Sequence, residues 1–191
     1  MRVKICGITR PDDARFAEQE GADAIGVILS SPGSKREVSP KRAQEIFEAV
    51  GPFITKVAVT HTGSESELST IIALNPDAIQ IFHPFVFGKD PGVQIIRAIG
   101  KDDPLPSACD AIIIDESHGG GKDFDLSAAR SAVQRAKVPV ILAGGLTPGN
   151  VEEAIQQVRP YAVDVATGVE LSPGIKDHRK VRAFIAACRR A

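Results

Sequence analysis

The segment Val3-Lys4-Ile5-Cys6-Gly7-Ile8-Thr9-Arg10-Pro11-Asp12-Asp13 combines a short apolar run, a glycine turn and a proline followed by two acidic residues. The run is typical of a buried β-strand, and proline with acidic residues in the first turn is typical of a helix that begins there. Cys6 ends the strand, and in parallel α/β proteins the carboxyl ends of the strands face the ligand. A buried cysteine more commonly packs as a small apolar side chain, so Cys6 alone does not establish a site.

The same strand–helix unit recurs along the chain. Runs that are apolar throughout indicate strands covered on both faces, and their alternation with helical segments predicts a parallel sheet. Eight such units predict an α/β fold, a (β/α)8 TIM barrel that forms a single domain over residues 1–191. The predicted strands are Val3–Cys6, Ala24–Leu29, Ile54–Val59, Ala78–Phe82, Val93–Ala98, Ala111–Ile114, Val138–Leu142 and Ala162–Val165.

A flavodoxin-like open sheet is the structural alternative. The barrel is favoured because candidate site residues follow at least six of the runs, whereas an open sheet concentrates its site at one switch point. Helix starts are predicted at Thr9-Arg10-Pro11-Asp12, at Ser39-Pro40 and at Thr147-Pro148, each with a polar capping residue before proline. Residues 83–92 and 100–110 are broken by proline and glycine, so the helices after strands 4 and 5 are predicted to be shortened or missing.

Composition limits the function classes. With 23 basic and 24 acidic residues the net charge is -1, so the chain has no overall basic field for nucleic acid or an anionic membrane, and a small-molecule partner is expected. The three cysteines, Cys6, Cys109 and Cys188, are odd in number and far apart, which favours free thiols in a reducing cytoplasm. Neither a zinc-site spacing nor a long apolar run occurs, so we expect no metal and no membrane span.

Two glycine loops follow the predicted strands 7 and 8. Leu142-Ala143-Gly144-Gly145-Leu146-Thr147-Pro148 and Ala166-Thr167-Gly168-Val169-Glu170 bring backbone N–H groups within reach of an anion. Tight turns alone would also explain the glycines. Because barrels commonly bind phosphate between these two loops, the sequence favours a phosphate site that includes Gly144, Gly145, Thr167 and Gly168.

Further polar residues follow other strands. Asp115 ends strand 6 and can act as a general acid if burial raises its pKa, although capping a turn would explain it equally well. The glycine run that follows it, with Gly120 and Gly121, resembles a lid and a third phosphate contact, but it lacks the spacing of a nucleotide triphosphatase loop. The planar guanidinium of Arg36 can bind a substrate carboxylate through two hydrogen bonds, and Gln80 can hydrogen-bond a sugar hydroxyl or a carboxylate. Asp164 is a charged residue inside an apolar strand, so it is expected to face the mouth of the barrel or to have a partner.

Five blocks, in order and at the predicted strand ends, resemble the phosphoribosylanthranilate isomerase family of tryptophan biosynthesis, and the resemblance runs from one end of the chain to the other. They are Lys4-Ile5-Cys6-Gly7-Ile8-Thr9, Ser34-Lys35-Arg36-Glu37-Val38-Ser39, Asp115 with Gly119-Gly120-Gly121-Lys122-Asp123-Phe124-Asp125, Leu142-Ala143-Gly144-Gly145-Leu146-Thr147-Pro148-Gly149-Asn150-Val151, and Val163-Asp164-Val165-Ala166-Thr167-Gly168-Val169-Glu170 with Gly174-Ile175-Lys176-Asp177.

The resemblance implies the Amadori rearrangement of N-(5-phosphoribosyl)anthranilate to 1-(2-carboxyphenylamino)-1-deoxyribulose 5-phosphate, the third step from chorismate to tryptophan, without cofactor or metal. It also implies the roles of individual residues. Asp115 would be the general acid and Cys6 the base, with its thiol pKa lowered by nearby positive charge. Arg36 would hold the anthranilate carboxylate, Asp164 the sugar or the aniline nitrogen, and the two glycine loops the phosphate.

The sequence departs from the family pattern in places. Strand 3 ends in Val59-Thr60-His61-Thr62 where the family usually has Phe-Val-Asn, and His83 lies one place later than the family histidine, which leaves both histidines open as site residues. Two other functions are possible on these residues. One is a related phosphosugar isomerase, but histidine-pathway relatives use aspartate at the position of Cys6, which argues against it. The other is a catalytically altered phosphate-binding barrel that acts as a regulatory or scaffold subunit. A reduced helical layer exposes strand faces, so either a monomer or a homodimer is expected.

Overall fold

The computed structural model describes residues 1–87, 90–100, 103–106, 108–115 and 126–191. Its centre is a closed barrel of eight parallel strands in chain order. All eight predicted runs are strands, with ends that differ by two residues at most. The strands are β1 (Arg2–Ile5), β2 (Ala24–Ile28), β3 (Thr55–Thr60), β4 (Ala78–Ile81), β5 (Gln94–Ile99), β6 (Ala111–Asp115), β7 (Val140–Ala143) and β8 (Ala162–Val165).

The pairing of β1 with β8 closes the barrel. Arg2 is in register with Ala162 and Ile5 with Val165, and the Cys6 N–H donates to the carbonyl of Val165 at 2.8 Å. The open-sheet alternative is therefore wrong. Apolar runs could not exclude it, because strands covered on both faces have the same pattern in either architecture.

Successive side chains of each strand point alternately into the barrel and toward the helices. The interior is filled by branched residues with alanines between them, mainly Val57, Val59, Ile96, Ile113 and Ile141. A larger apolar cluster lies between the outer face of the strands and the helices and includes the fully buried Phe184. Cys6 follows β1 directly, two residues after Lys4, so both side chains belong to the interior set.

Six α-helices occur among the described residues, and none of them lies between β4 and β5 or between β5 and β6. The predicted loss of these two helices is thus confirmed for the described parts of both connections. The helices are α1 (Pro11–Gln19), α2 (Pro40–Glu48), α3 (Glu65–Ile72), α4 (Leu126–Arg135), α5 (Val151–Val158) and α6 (His178–Arg190).

The three predicted helix starts fare differently. The hydroxyl of Ser39 accepts a hydrogen bond from the Arg42 N–H and caps α2 as expected. Helix α1 begins at Pro11, but Thr9 does not cap it, because its hydroxyl donates to the carbonyl of Gly174. Helix α5 begins at Val151 instead of Pro148, since the side chain of Asn150 folds residues 147–150 into a turn first.

Candidate active site

A cavity of about 410 Å³ lies at the carboxyl-terminal mouth of the barrel, the end at which the parallel strands terminate. It brings together side chains and loops that are far apart in the sequence. The predicted site residues that line it are Arg36, Asp115, Gly144, Gly145, Asp164, Thr167 and Gly168. These seven residues come from the last residue of β6, from β8 and from the connections after β2, β7 and β8, so strand-end reasoning located most of the site.

Cys6 lies in the barrel interior beside this cavity. The residue is 6% exposed and packs with the interior apolar cluster. A Cβ atom added at Gly26 would lie 2.8 Å from the sulfur of Cys6 and 3.1 Å from Cε of Lys4. The thiol therefore points into the barrel rather than toward the helices, and the missing side chain at position 26 leaves room for it.

Lys4 forms the polar centre of the interior. Its ammonium group donates to Oε1 of Gln80 and to Oδ1 of Asp164, both at 2.9 Å, and all three residues are buried. Asp164 is thus the ion-pair partner of a buried lysine as well as a residue of the cavity lining. Sequence reasoning identified Gln80 and Asp164 but missed Lys4, although a lysine inside an apolar strand carries the same signal as Asp164.

The pKa of the Cys6 thiol is raised above its ordinary value because burial disfavours the thiolate. The ammonium groups of Lys4 and Lys176 oppose this effect, and the carboxylate of Asp164 adds to it. The expected positive charge is therefore present, but it does not outweigh burial, and the thiol is protonated at neutral pH.

A second ion cluster surrounds Glu170. Arg36 donates to Glu170 through Nε at 2.8 Å and Nη2 at 2.7 Å, and the ammonium of Lys176 lies 3.0 Å from Oε1. The Glu170 side chain is 3% exposed. Burial alone would raise the pKa of Glu170, but its bonds to Arg36, Lys176 and the N–H of Gly174 lower the pKa to about 2.

A short hairpin after β8 delivers Lys176 to the site. A 3-10 turn at Thr167–Val169 leads into β9 (Glu170–Ser172), which pairs antiparallel with β10 (Ile175–Lys176). The ammonium of Lys176 also donates to the carbonyl of Ala166 at 3.2 Å. Sequence reasoning quoted Glu170 and Lys176 within motifs but gave neither a role, because only the return of the hairpin brings them to Arg36.

The two glycine loops touch each other. A Cβ atom at Gly168 would lie 1.9 Å from the carbonyl oxygen of Leu146, so the loop after β8 crosses the loop after β7 with no space for a side chain. Gly144 and Gly145 have φ angles of 92° and 61°, a conformation that glycine adopts without strain. Asn150 braces the first loop, since its side chain accepts from the Thr147 N–H and donates to the Gly145 carbonyl.

The remaining candidates lie nearby or outside the described residues. His61 has Nδ1 2.9 Å from the hydroxyl of Ser31 and stacks on Phe82 with 3.9 Å between ring centroids. Burial lowers the pKa of His61, and the carboxylate of Asp115 partly opposes that effect. His83 contacts Phe85 edge-on. The predicted phosphate contacts Gly120 and Gly121 lie outside the described ranges.

A match with known proteins decides the family. The family model described as N-(5′-phosphoribosyl)anthranilate (PRA) isomerase matches residues 3–187. This chain belongs to that family. The N-(5′-phosphoribosyl)anthranilate isomerase of Methanoregula boonei is 61% identical over 191 residues, which are 100% of this chain and 98% of the relative.

Solved structures of phosphoribosylanthranilate isomerases are also similar. One is a complex with reduced 1-(o-carboxyphenylamino)-1-deoxyribulose 5-phosphate, with a TM-score of 0.82, 32% identity and coverage of 100% of both chains. Another describes monomers of the dimeric enzyme from Thermotoga maritima, with a TM-score of 0.80, 30% identity and the same coverage. The family resemblance, the barrel fold and the isomerase class predicted from the sequence are therefore confirmed.

Nowhere in the described part of the chain do three or more His, Cys, Asp or Glu side chains gather as metal ligands would. No helix described there combines the length and the apolar character that crossing a bilayer requires.

Proposed function

We propose that the carboxyl-terminal mouth of this barrel carries out the activity of its family, the Amadori rearrangement of N-(5-phosphoribosyl)anthranilate to 1-(2-carboxyphenylamino)-1-deoxyribulose 5-phosphate, the third step from chorismate to tryptophan. One observation carries the proposal. A single cavity of about 410 Å³ is lined by a strand-end carboxylate, an arginine and both glycine loops, and Cys6 lies beside it. Clefts of this size enclose small ligands. We assign the enzyme to the cytoplasm, where its three free cysteines stay reduced.

The substrate phosphate binds the backbone N–H groups of the two loops at Gly144, Gly145, Thr167 and Gly168. The close approach of Gly168 to Leu146 supports this role, because it brings the two loops into one surface. An anion fixed there supplies binding energy away from the reacting carbon and orients the sugar toward the interior of the barrel.

Asp115 opens the sugar ring. Its carboxyl group lines the cavity and donates a proton to the furanose oxygen while the bond from that oxygen to C1′ breaks. The lone pair of the anilino nitrogen forms the new C=N bond, so the product of this step is a protonated Schiff base. The positive charge of this Schiff base then lies close to Cys6.

Cys6 takes the proton from C2′. Burial keeps the thiol protonated before the substrate binds, and the added iminium charge together with the neighbouring ammonium groups lets it lose its proton to water. The thiolate then forms an S–H bond as the C2′–H bond breaks. The electron pair of that bond neutralises the iminium nitrogen, and the resulting enolamine rearranges to the ketone.

Arg36 and Gln80 bind the substrate through N–H groups that are not used in their contacts with Glu170 and Lys4. Nε and Nη2 of Arg36 bind Glu170, which leaves Nη1 for the anthranilate carboxylate. Oε1 of Gln80 accepts from Lys4, which leaves its amide N–H groups for a sugar hydroxyl. Both side chains are held by ion pairs or hydrogen bonds before the substrate arrives, so little conformational entropy is lost on binding.

The test follows the loss of anthranilate fluorescence with freshly generated phosphoribosylanthranilate. We expect turnover by the wild type and a fall in kcat of at least about 100-fold in Cys6→Ser and in Asp115→Asn, since each removes one proton-transfer group. Cys109→Ala is the matched control, because Cys109 is a free cysteine that is not among the residues lining the cavity, and it should keep wild-type kinetics. Folded wild-type protein without turnover would refute the proposal and favour the scaffold alternative.

We further propose that the chain forms a homodimer through its amino-terminal face. Phe53 is 99% exposed and borders a cavity of about 360 Å³ at the opposite end of the barrel, where Tyr161 is also partly exposed. A protruding aromatic ring and an apolar cavity on one face are self-complementary, so a two-fold axis would place each Phe53 in the cavity of the other copy. The Thermotoga maritima relative is described as dimeric, which supports this choice over a monomer.

Sedimentation equilibrium at micromolar concentration tests the dimer. Phe53→Ser should give a monomer with unchanged kcat, because the face lies at the end of the barrel away from Cys6. Val86→Ser is the control, since Val86 is 94% exposed but lies outside this cavity, and it should stay dimeric. A monomeric wild type, or a dimeric Phe53→Ser, would overturn the proposal.

A further inference from the structure

Lys4 is an internal cation next to Cys6, and in the reaction steps above it does not contact the substrate. It is 3% exposed, and its backbone is fixed on both sides by the barrel, in register with Ala24 of β2 and Asp164 of β8. Two of its three N–H groups are accounted for by Gln80 and Asp164 at 2.9 Å. Burying an ammonium group costs several kcal/mol, so a position like this calls for a reason beyond packing.

Lys4 lies next to Cys6 inside the barrel. Cys6 follows β1 directly, two residues after Lys4, so the two side chains share the interior face, and the charge of each acts on the pKa of the other. Gly26 on the neighbouring strand makes the contact possible, because a Cβ atom there would press on both the sulfur and Cε of Lys4. One ammonium group thus binds Gln80 and Asp164, and its side chain lies against the same glycine as the Cys6 sulfur.

The charges around Cys6 come from four elements. Lys4 lies on β1, Asp164 on β8, Lys176 on β10 and Arg36 in the connection after β2. Glu170 compensates the charges of Lys176 and Arg36, since it binds both. Lys4 shares its charge with a single carboxylate and a neutral amide, and its side chain packs with the Cys6 sulfur against Gly26.

We propose that Lys4 is a positioning residue of the isomerisation, whose ammonium group fixes the Cys6 sulfur, Asp164 and Gln80 in one arrangement and stabilises the Cys6 thiolate at the moment it accepts the C2′ proton. This inference rests on the proposed role of Cys6. Lys4 itself neither gains nor loses a proton in the step. Its charge balances the sulfur, and its two hydrogen bonds keep the carboxylate and the amide in place.

The experiment measures the pH dependence of Cys6 alkylation by iodoacetamide in the absence of substrate, in a Cys109→Ala background, with the labelled peptide identified by mass spectrometry. Lys4→Met has about the same length and no charge, so it should raise the midpoint of the alkylation profile by about one pH unit or more. The pH profile of kcat/KM should shift by the same amount. At a fixed pH below the midpoint kcat/KM should therefore be about tenfold lower than in the wild type, with KM nearly constant.

Two further variants separate an electrostatic role from a structural one. Asp164→Asn frees the charge of Lys4 for the sulfur, so the midpoint should fall, in the direction opposite to Lys4→Met. Gln80→Met removes a neutral partner at the same depth and should leave the midpoint unchanged. If Lys4→Met does not fold, Lys4→Gln, which also removes the charge, is measured in its place with the same expected rise, because the fall in Asp164→Asn also contains the direct effect of that carboxylate on the thiol.

The outcomes distinguish this inference from the proposed function. Because alkylation needs no turnover, a wild type without isomerase activity would refute the proposed function and still allow the link between Lys4 and Cys6 to be measured. An unchanged midpoint in folded Lys4→Met, or a midpoint that rises or stays constant in Asp164→Asn, would overturn the inference.

Discussion

Replacing Glu170 by glutamine tests the ion cluster that holds the hairpin to the mouth of the barrel. Glu170 binds both Arg36 and Lys176, and its Oε1 also accepts from the N–H of Gly174 at 3.1 Å. Glutamine keeps the size of the side chain and removes its charge. The Lys176 ammonium, whose side chain is 1% exposed, would then face an amide and a carbonyl oxygen with no counter-charge.

The expected cost is large because the pair is buried. Removing one partner of a buried ion pair typically costs about 3–5 kcal/mol, since the other charge stays desolvated and uncompensated. That is a substantial part of the roughly 5–15 kcal/mol by which a domain is stable. Glu170→Gln combined with Lys176→Met removes both charges, so at least half of the lost stability should return.

Urea unfolding followed by far-UV circular dichroism gives the free energy of unfolding of each variant, with the slope m as a check that the same surface unfolds. A cost below about 1 kcal/mol for Glu170→Gln would mean that the pair is solvated, as surface pairs are. A double variant as unstable as the sum of its two single variants would contradict the coupling between Glu170 and Lys176.

Three further predictions concern the same mouth. Gly168→Ala would place a Cβ atom 1.9 Å from the carbonyl oxygen of Leu146, so the two loops must separate and KM should rise about tenfold or more. Gly149→Ala is the control. Its Cβ atom would lie 3.8 Å from Oγ1 of Thr147, so KM should not change. Gly26→Ala would place a Cβ atom 2.8 Å from the Cys6 sulfur, so steady-state kinetics should show a fall in kcat with KM little changed, and an unaltered kcat would contradict the crowding. Because the pKa of Glu170 is lowered from 4.5 to about 2 in the folded chain, its stabilisation is complete above pH 4.5 and is lost as the pH falls toward 2. As the pH is lowered through that range, the free energy of unfolding should therefore fall more steeply for the wild type than for Glu170→Gln. Parallel curves for the two proteins would contradict the low pKa.

The barrel could be predicted from the sequence because buried parallel strands are short and apolar throughout. Closure required knowing that β1 and β8 are neighbours, a contact between the ends of the chain that local patterns do not contain. The helix starts show that local patterns also miss side-chain contacts that decide which residue caps a helix. Ser39 caps its helix as predicted, whereas Thr147 is engaged by Asn150 and Thr9 by the hairpin.

The candidate site could be located from strand ends, but its internal connections could not. Parallel strands bring Asp115 and the two glycine loops to one face whatever the details of packing. The alternation of side chains on β1 already implied that an inward Cys6 requires an inward Lys4, so that residue could have been found. The pairing of Arg36 with Glu170 and Lys176 could not, because it depends on where a hairpin returns after β8.

The two ion clusters meet at Cys6, and under the proposed mechanism this explains why a thiol serves as the base. Burial keeps the thiol protonated at neutral pH, which also protects it from oxidation, since thiolates are the reactive form. The neighbouring cations are already in place and partly compensated by Asp164 and Glu170. In the proposed mechanism, opening of the sugar ring within the site creates a Schiff base with one positive charge and no counter-ion, and ionisation of Cys6 neutralises it. The proposed base is therefore formed by the intermediate that needs it.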